Sequence, residues 1–266
     1  MRTPKLVATD MDGTVLLPDE TTSPRTKAAL ARLNDLGVPL VGITGRGPRL
    51  LAMSHAEIPQ AAYLVMGQGA QVFHLNGNGP ERLLGASLGG TVLADVVSTL
   101  EDEVGPLELV VEGLEDSPLV ADPVPNDWPW RIQLNPVTRA EALATPALKA
   151  FVRSRTAHID VVYTAAKRLI PPSTCMLTEA GIGYVELCPP GHDKGTGLAF
   201  VAERLGVAAE DVLVFGDARN DLPMFAWAGR SVAMGNAHPE VKAAATDHTE
   251  SNLEDGVARF LEKIFG

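Results

Sequence analysis

The most constraining feature of this sequence is the segment KLVATDMDGTVL at residues 5–16. Its short apolar run is typical of a buried strand, and that run ends at Asp10, Met11, Asp12 and Gly13. Side chains two positions apart point to the same side of an extended chain. Asp10 and Asp12 are therefore expected to converge at the carboxyl end of the strand, before Gly13 lets the backbone turn.

Two carboxylates that lie close together repel each other unless a cation or a proton lies between them. Mg²⁺ binds hard oxygen ligands and is the cation that this segment predicts. The alternative is an acidic turn, in which Asp12 and Gly13 only reverse the chain, because Asp-Gly pairs are common in turns. These residues taken alone leave both interpretations open.

The segments on either side of the chain's centre predict an α/β fold with a Rossmann-like parallel sheet. They alternate between helical spacing and apolar runs typical of strands. The predicted helices are residues 22–36, 49–55, 192–206 and 222–228, and the predicted strands after the first are 38–43, 63–66, 212–215 and 231–234, the last being the final strand of the sheet.

The central segment follows a different pattern, in which strands succeed strands. This pattern predicts an inserted α+β cap domain at residues 77–186, with an antiparallel sheet and helices on one side, while residues 1–76 and 187–266 form the core. The predicted elements are helices at 91–103 and 140–153 and strands at 107–112, 119–122, 131–135, near 159–163 and at 184–187.

Composition narrows the possible partners. The chain has 266 residues, with 22 Lys+Arg against 33 Asp+Glu and a formal charge of −11. This acidity argues against nucleic acid and against an anionic membrane surface, because both require a basic face. A small anionic substrate is still allowed, since a metal ion and one lysine can make a site locally positive.

The two cysteines, Cys175 and Cys188, form no pattern typical of zinc sites, and no apolar run approaches the length of a membrane helix. The sequence therefore predicts a cytoplasmic protein without a membrane partner. Its assembly is expected to be a monomer or a homodimer.

Other polar residues follow the ends of the predicted core strands. Asp217 ends one strand, and a helix starting there would bring Asp221 to the same place. Lys194 begins a helix where its ammonium could neutralise a phosphate or the acids. Thr44 offers a hydroxyl, and the backbone amides around Gly45 form an anion-binding concavity.

Four ordered motifs, DMDGT, ITGR, DKG and GDARND, and the later segment beginning VAMGNAHPEVKAAA, resemble the haloacid dehalogenase (HAD) superfamily. The resemblance is to its Cof-type phosphatases with a large inserted cap (class IIB). It covers the core, whereas the cap matches only in length and position. Two positions depart from the family pattern: Gln68 stands where relatives commonly have Asn, and Ala218 where many have Gly.

The resemblance implies a Mg²⁺-dependent phosphatase that acts on a small phosphate ester through an aspartyl-phosphate. Asp10 would be the nucleophile and Asp12 the general acid and base, with Lys194 as the third catalytic residue. Substrate binding would involve Thr44, Gly45, Arg46, Lys194 and Asn220, and the metal site would involve Asp10, Asp12 through its backbone carbonyl, Asp217 and Asp221.

Several alternatives are open at this point. A sugar-phosphate mutase would share the same core, and a non-catalytic sugar-phosphate sensor would share the fold, although a sensor needs no nucleophile. The substrate of a phosphatase could be a sugar, polyol or phosphoglycolate-like phosphate. Arg46 could pair with a surface acid instead of binding substrate, and Asn220 and Asp221 could be ordinary helix caps.

Overall fold

The computed structural model describes residues 3–114, 119–128, 134–179 and 183–266. Contacts between residues divide the chain into two compact units. The first comprises Met1–Arg46, Leu50–Leu84 and Asp193–Gly266, and the second comprises Gly47–Arg49 and Gly85–His192. None of the helices within the described ranges is both long and apolar enough to cross a membrane.

The described residues form strands and helices that we number along the chain. The strands are β1 (Leu6–Asp10), β2 (Leu40–Ile43), β3 (Tyr63–Met66), β4 (Gln71–Asn76), β5 (Gly79–Gly85), β6 (Leu107–Gly113), β7 (Leu119–Asp122), β8 (Leu134–Pro136), β9 (Ala147–Ser154), β10 (Met176–Glu179), β11 (Val185–Cys188), β12 (Val212–Gly216), β13 (Arg230–Ala233) and β14 (Asp247–His248). The helices are α1 (Pro24–Asp35), α2 (Leu51–Glu57), α3 (Gly90–Val104), α4 (Arg139–Ala144), α5 (Ile159–Leu169), α6 (Lys194–Leu205), α7 (Leu222–Trp227), α8 (Pro239–Ala244) and α9 (Gly256–Phe265).

The first unit is built on a sheet in the order β14-β13-β12-β1-β2-β3-β4-β5. Strand β1 lies at its centre and pairs in parallel with both β12 and β2. All five residues of β1 are buried, as expected for a parallel strand covered on both faces. The carboxyl ends of these three strands meet at one edge, which confirms the predicted Rossmann-like sheet and positions the polar residues that follow each strand.

Helix α6 is fixed at both ends by local sequence. The Asp193 side chain accepts a hydrogen bond from the Thr196 backbone N–H at 2.7 Å, and the Thr196 hydroxyl accepts one from the Asp193 N–H at 2.8 Å. This reciprocal capping starts the helix at Lys194. The helix ends at Leu205, and the next residue, Gly206, has a φ of 65°, a left-handed conformation that favours glycine. Lys194 therefore has a defined place at the first turn.

The second unit contains a sheet in the order β10-β11-β9-β6-β7-β8. Its pairs are antiparallel except for β7 with β8, which are parallel. Alternate residues of β6, such as Leu109 and Val111, pack in one apolar cluster with Leu93 of α3 and Val162 of α5. The second unit is thus the predicted α+β type, with helices packed on one face of its sheet.

Two elements predicted for the second unit are wrong. The predicted helix at 140–153 is the short helix α4 followed by strand β9, which pairs with β6 and with β11. Pro146 disfavours a helical Thr145 and separates the two elements, and the sheet contacts decide the conformation of the apolar residues beyond it. The predicted strand near 159–163 is the start of α5, where the His158 side chain caps the helix and Asp160 lies in its first turn.

Smaller differences concern the edges of the predicted elements and units. Strand 231–234 is not the last of the core sheet, because β14 pairs in parallel with β13. Strand β5 extends the core sheet beyond residue 76, and β11, which pairs within the second sheet, extends past residue 186 to Cys188. Of the predicted strand 131–135, residues 131–133 lie outside the described residues, and β8 begins at Leu134.

Candidate active site

Asp10 is the last residue of β1 and is buried, with 3% of its surface exposed. The chain turns directly after it, because the Met11 carbonyl accepts hydrogen bonds from the N–H groups of Thr14, Val15 and Leu16 at 3.2, 3.1 and 2.9 Å. This turn brings the Thr14 hydroxyl back to Asp10, to which it donates at 3.2 Å. The carboxylate is thereby held at the sheet edge by its own loop.

Lys194 connects Asp10 with Asp221. Its ammonium lies 2.6 Å from an oxygen of each carboxylate, and all three side chains are buried. Burial alone lowers the pKa of a lysine, but the charges of Asp10 and Asp221 outweigh this effect and raise the pKa of Lys194 above its ordinary value. Lys194 is therefore a fixed positive charge at the centre of the site.

Asp10, Asp217 and Asp221 form an acidic cluster in which one oxygen from each lies within 4.8 Å of the others. Burial, followed by the charge of Asp221, raises the pKa of Asp10 well above its usual range and the pKa of Asp217 to about 6. Lys194 compensates for only part of this negative charge. The donor set and the excess negative charge fit a divalent cation with oxygen ligands.

The members of this cluster differ in how they are held. One carboxylate oxygen of Asp221 accepts hydrogen bonds from the backbone N–H groups of Asp217 and Ala218, both at 2.9 Å. The other oxygen accepts a hydrogen bond from the Lys194 ammonium. Asp10 and Asp217 each face the Thr14 hydroxyl, at 3.2 and 3.4 Å. Asp221 is thus engaged by backbone and lysine donors, and Asp10 and Asp217 are the better candidates for direct metal ligands.

The Asp12 carboxylate does not join this cluster. It accepts hydrogen bonds from Arg46, at 3.0 and 2.5 Å, and lies 3.5 Å from the Thr44 hydroxyl, with 54% of the side chain exposed. The expectation that Asp10 and Asp12 converge assumed an extended chain, but β1 ends at Asp10. The predicted role of the Asp12 backbone carbonyl at a metal stays a prediction.

The residues after β2 form a second polar group. Thr44 is buried, and its hydroxyl accepts the backbone N–H of Arg46 at 3.1 Å. Gly45 packs so closely on Gln68 that a Cβ atom at this glycine would lie 2.6 Å from the Gln68 amide nitrogen. Asn220 donates to the Gln68 side-chain oxygen at 3.3 Å, and its own buried Oδ1 accepts no hydrogen bond from the described residues.

The sequence prediction did not include three residues at this site: Thr14, Gln68 and Asn236. Thr14 is part of the DMDGT motif, and the glycines on both sides of Gln68 indicate a tight backbone there, where Gln68 itself has a φ of 59°. Asn236 donates to Asp217 at 3.2 Å, although it lies 19 positions away in the loop after β13. Asn236 lies in the segment VAMGNAHPEVKAAA, which contributes to the family resemblance. No spacing rule links it to the acidic residues, so only the three-dimensional structure shows that it contacts Asp217.

Comparison with known proteins agrees with this geometry. A family model described as haloacid dehalogenase-like hydrolase matches residues 7–261. The chain is 30% identical over 244 residues to the HMP-PP phosphatase of Cronobacter sakazakii, covering 90% of this chain and 87% of the relative. It is 28% identical over 276 residues to a 5-amino-6-(5-phospho-D-ribitylamino)uracil phosphatase of Bacillus subtilis, covering 98% of each.

Solved structures show the same fold. A haloacid dehalogenase-like hydrolase from Bacteroides thetaiotaomicron superposes with a TM-score of 0.78 at 24% identity, covering 98% of this chain and all of that one. A sugar phosphatase of HAD subclass IIB superposes with a TM-score of 0.81 at 18% identity, covering 97% and 98% of the two chains. The chain therefore belongs to the haloacid dehalogenase-like hydrolase family, in its Cof-type phosphatase branch, as its four motifs predict.

Proposed function

We propose that this protein is a Mg²⁺-dependent phosphatase that hydrolyses a small phosphorylated metabolite through an aspartyl-phosphate on Asp10. The enzyme class, a phosphoric monoester hydrolase, follows from the family and from relatives named as phosphatases. The observation that carries the proposal is the position of Asp10, buried at a strand end between Lys194 and Thr14 and beside two further carboxylates.

Asp10 and Asp217, together with the Asp12 backbone carbonyl, would hold the metal ion, and Asp221 would orient the neighbouring groups. Mg²⁺ suits this set because all of the donors are oxygens. When bound, the cation offsets the repulsion between the anionic phosphoryl group and the Asp10 carboxylate. Lys194, which contacts both Asp10 and Asp221, would add a permanent positive charge to that of the cation.

In the first step, an Asp10 carboxylate oxygen attacks phosphorus, and the ester P–O bond breaks as the Asp10–phosphorus bond forms. Asp12 gives a proton to the departing alcohol oxygen. Thr44 and the backbone N–H groups near Gly45 would bind the phosphoryl oxygens, because donors of this kind stabilise charge that develops on oxygen.

In the second step, a water molecule attacks the phosphorus of the aspartyl-phosphate. Asp12 takes the proton from that water, inorganic phosphate leaves and the Asp10 carboxylate is restored. Covalent capture splits one difficult hydrolysis into two easier displacements. A single acid and base can serve both, since the proton that Asp12 loses in the first step is regained in the second.

The names of the relatives support a small phosphorylated metabolite as the substrate. Their names specify HMP-PP, a phosphoribitylamino-uracil and a sugar phosphate, all small organic phosphates. We propose a sugar, polyol or phosphoglycolate-like phosphate as the substrate. We also propose that the second unit is the inserted cap domain and takes part in substrate selection. A cytoplasmic location and a monomeric or homodimeric state stay predictions.

The test is a screen of phosphorylated metabolites for release of inorganic phosphate, with Mg²⁺, with excess EDTA and with Mg²⁺ restored. The expected result is release from at least one sugar or polyol phosphate, loss in EDTA and recovery with Mg²⁺. Ca²⁺, which is larger and less strict in geometry, should restore little activity. Asp10→Asn is the control for contaminating phosphatases.

Three results of this screen would contradict the proposal. Full activity in EDTA would remove the metal from the mechanism. Transfer of the phosphoryl group back to the substrate, with a requirement for a bisphosphate activator, would indicate a mutase. Binding of a sugar phosphate without turnover, in both the presence and the absence of Mg²⁺, would indicate a sensor.

A further inference from the structure

Asn236 lies in the loop after β13, and its side-chain amide makes three hydrogen bonds. The amide nitrogen donates to the Gly13 carbonyl at 2.8 Å and to an Asp217 carboxylate oxygen at 3.2 Å. The amide oxygen accepts the Asn252 backbone N–H at 3.1 Å. A carbonyl can only accept and a backbone N–H can only donate, so these partners determine which way the amide points.

The loop that carries Asn236 is itself held in place. The Gly235 N–H donates to the Glu250 carbonyl at 3.0 Å, and the Gly235 carbonyl accepts the Lys242 ammonium at 2.5 Å. A Cβ atom at Gly235 would lie 2.6 Å from the Ser251 backbone nitrogen, so the two segments pack closely. The side chain of Asn236 therefore extends toward Asp217 from a fixed backbone.

Asp217 is enclosed by groups that set the orientation of its carboxylate. Its Oδ1 faces the Thr14 hydroxyl at 3.4 Å, and its Oδ2 faces the Asn236 amide. Gly13 limits the remaining side, because a Cβ atom there would lie 2.3 Å from Oδ2. With a φ of 79°, Gly13 also adopts a backbone conformation that favours glycine. The amide thus holds Asp217 and the DMDGT turn in one arrangement.

We propose that Asn236 is a positioning residue that orients the Asp217 carboxylate for binding a divalent cation. This inference rests on the metal site of the proposed function and assigns to it a residue outside the four motifs. A neutral amide donor fixes a carboxylate without cancelling its charge, so the oxygen remains available to a cation. Loss of such a hydrogen bond to a metal-binding side chain typically weakens metal affinity about 10- to 100-fold.

The test is isothermal titration of Mg²⁺ into the metal-free protein without substrate. Asn236→Ala should raise the Mg²⁺ dissociation constant about 10- to 100-fold, because it removes the donor to Asp217. Asn236→Ser, too short to reach both oxygens, should do the same and serves if the alanine variant fails to fold. Melting temperatures of the metal-free proteins report any general loss of stability.

Asn252→Ala is the matched control. It removes the side-chain amide of Asn252, which donates a hydrogen bond to the Leu16 carbonyl at 2.8 Å. It keeps the Asn252 backbone N–H, which donates to the Asn236 side chain. Asn252→Ala should lower the melting temperature at least as much as Asn236→Ala does. Its Mg²⁺ dissociation constant should nevertheless stay within about twofold of the wild-type value, because Asp217 loses no hydrogen-bond partner.

The outcomes separate this inference from the function on which it rests. Mg²⁺ binding to Asn236→Ala with wild-type affinity would overturn the inference and leave the metal site intact. Equally weakened Mg²⁺ binding in Asn252→Ala would also overturn the inference, because the effect would then come from the general anchoring of the loop after β13 and not from the hydrogen bond to Asp217. A wild-type protein that binds no Mg²⁺ would overturn the proposed metal site and the inference with it.

Discussion

The guanidinium of Arg46 donates two hydrogen bonds to the Asp12 carboxylate, at 3.0 and 2.5 Å. The Arg46 side chain is only 11% exposed, whereas the Asp12 side chain is 54% exposed. The arginine is therefore the better anchored partner, and it sets the orientation of the carboxylate. From the sequence, Arg46 could either bind substrate or pair with an acidic residue. The structure shows an ion pair between Arg46 and Asp12, the residue that we propose as the general acid and base.

We expect Arg46→Ala to lower kcat by about tenfold and to change KM little. General acid and base catalysis raises the reaction rate by about 10²- to 10⁴-fold, and an Asp12 carboxylate that has lost its orienting arginine should retain part of this rate enhancement. The measurement is steady-state kinetics on the best substrate from the screen. Arg32→Ala is the control, since Arg32 pairs on the surface with Asp35 three positions away. A raised KM with unchanged kcat would instead make Arg46 a substrate-binding residue.

Asp10 and Asp12 should differ in whether their variants retain a phosphoryl group. Asp12→Asn keeps the nucleophile, so with an activated aryl phosphate it should form the aspartyl-phosphate and hydrolyse it slowly. Intact-mass spectrometry after acid quench should show about 80 Da added to Asp12→Asn and nothing added to Asp10→Asn, because an amide is a far weaker nucleophile than a carboxylate.

The adduct on Asp12→Asn should be released by hydroxylamine, as an acyl phosphate is. An adduct on Asp10→Asn, or one that peptide mapping assigns to a serine or histidine, would contradict the mechanism without changing the fold. Wild-type protein quenched at the same time is the control for the normal rate of hydrolysis.

The acidic cluster should make the metal-free protein less stable as pH rises. Burial and the charge of Asp221 raise the pKa of Asp217 to about 6, from an ordinary value of 3.8. A carboxyl whose pKa is raised by folding contributes fully to the stability of the folded protein when the pH is below the pKa of the group in the unfolded chain. This stabilisation is lost as the pH rises through the pKa of the group in the folded protein. Asp217→Asn should therefore gain stability relative to wild type between about pH 4 and pH 7.

Urea unfolding in EDTA measures this effect. The rise in the pKa of Asp217 from 3.8 to about 6 corresponds to about 3 kcal/mol in the free energy of unfolding. Partial solvent exposure of Asp217 reduces the stability that Asp217→Asn is expected to gain to about 1–2 kcal/mol. Mg²⁺ at pH 7 should reverse the order, because it stabilises only the protein that binds it well. A difference in free energy of unfolding that is independent of pH would contradict the raised pKa.

Gln68 should contribute to phosphate binding through Gly45 and Asn220. Gln68→Leu keeps the bulk but removes the acceptor for the Asn220 amide at 3.3 Å. One hydrogen bond is worth about 0.5–1.5 kcal/mol, so KM and the inhibition constant of inorganic phosphate should rise about three- to tenfold. Gln68→Asn, which keeps a side-chain amide on a shorter side chain, should be affected less. Equal constants for Gln68→Leu and wild type would contradict this role.

Short-range sequence features determined the parallel core and the location of the site. Buried apolar strands such as β1 and β12 end directly at Asp10 and just before Asp217, and parallel strands bring their carboxyl ends to one edge. The start of α6 at Lys194 is likewise local, because Asp193 and Thr196 cap it. These features depend on residues close in sequence, and they were therefore predictable.

Only the tertiary structure decided the orientation of the side chains and the nature of β9. The residues of β9 are apolar enough for either helix or strand, and its neighbours β6 and β11 select the strand. Asp12 turns to Arg46, 34 positions away, and Asn236 reaches Gly13 across 223 positions. Contacts between segments so distant in sequence form only when the chain packs, and no periodicity or spacing in the sequence encodes them.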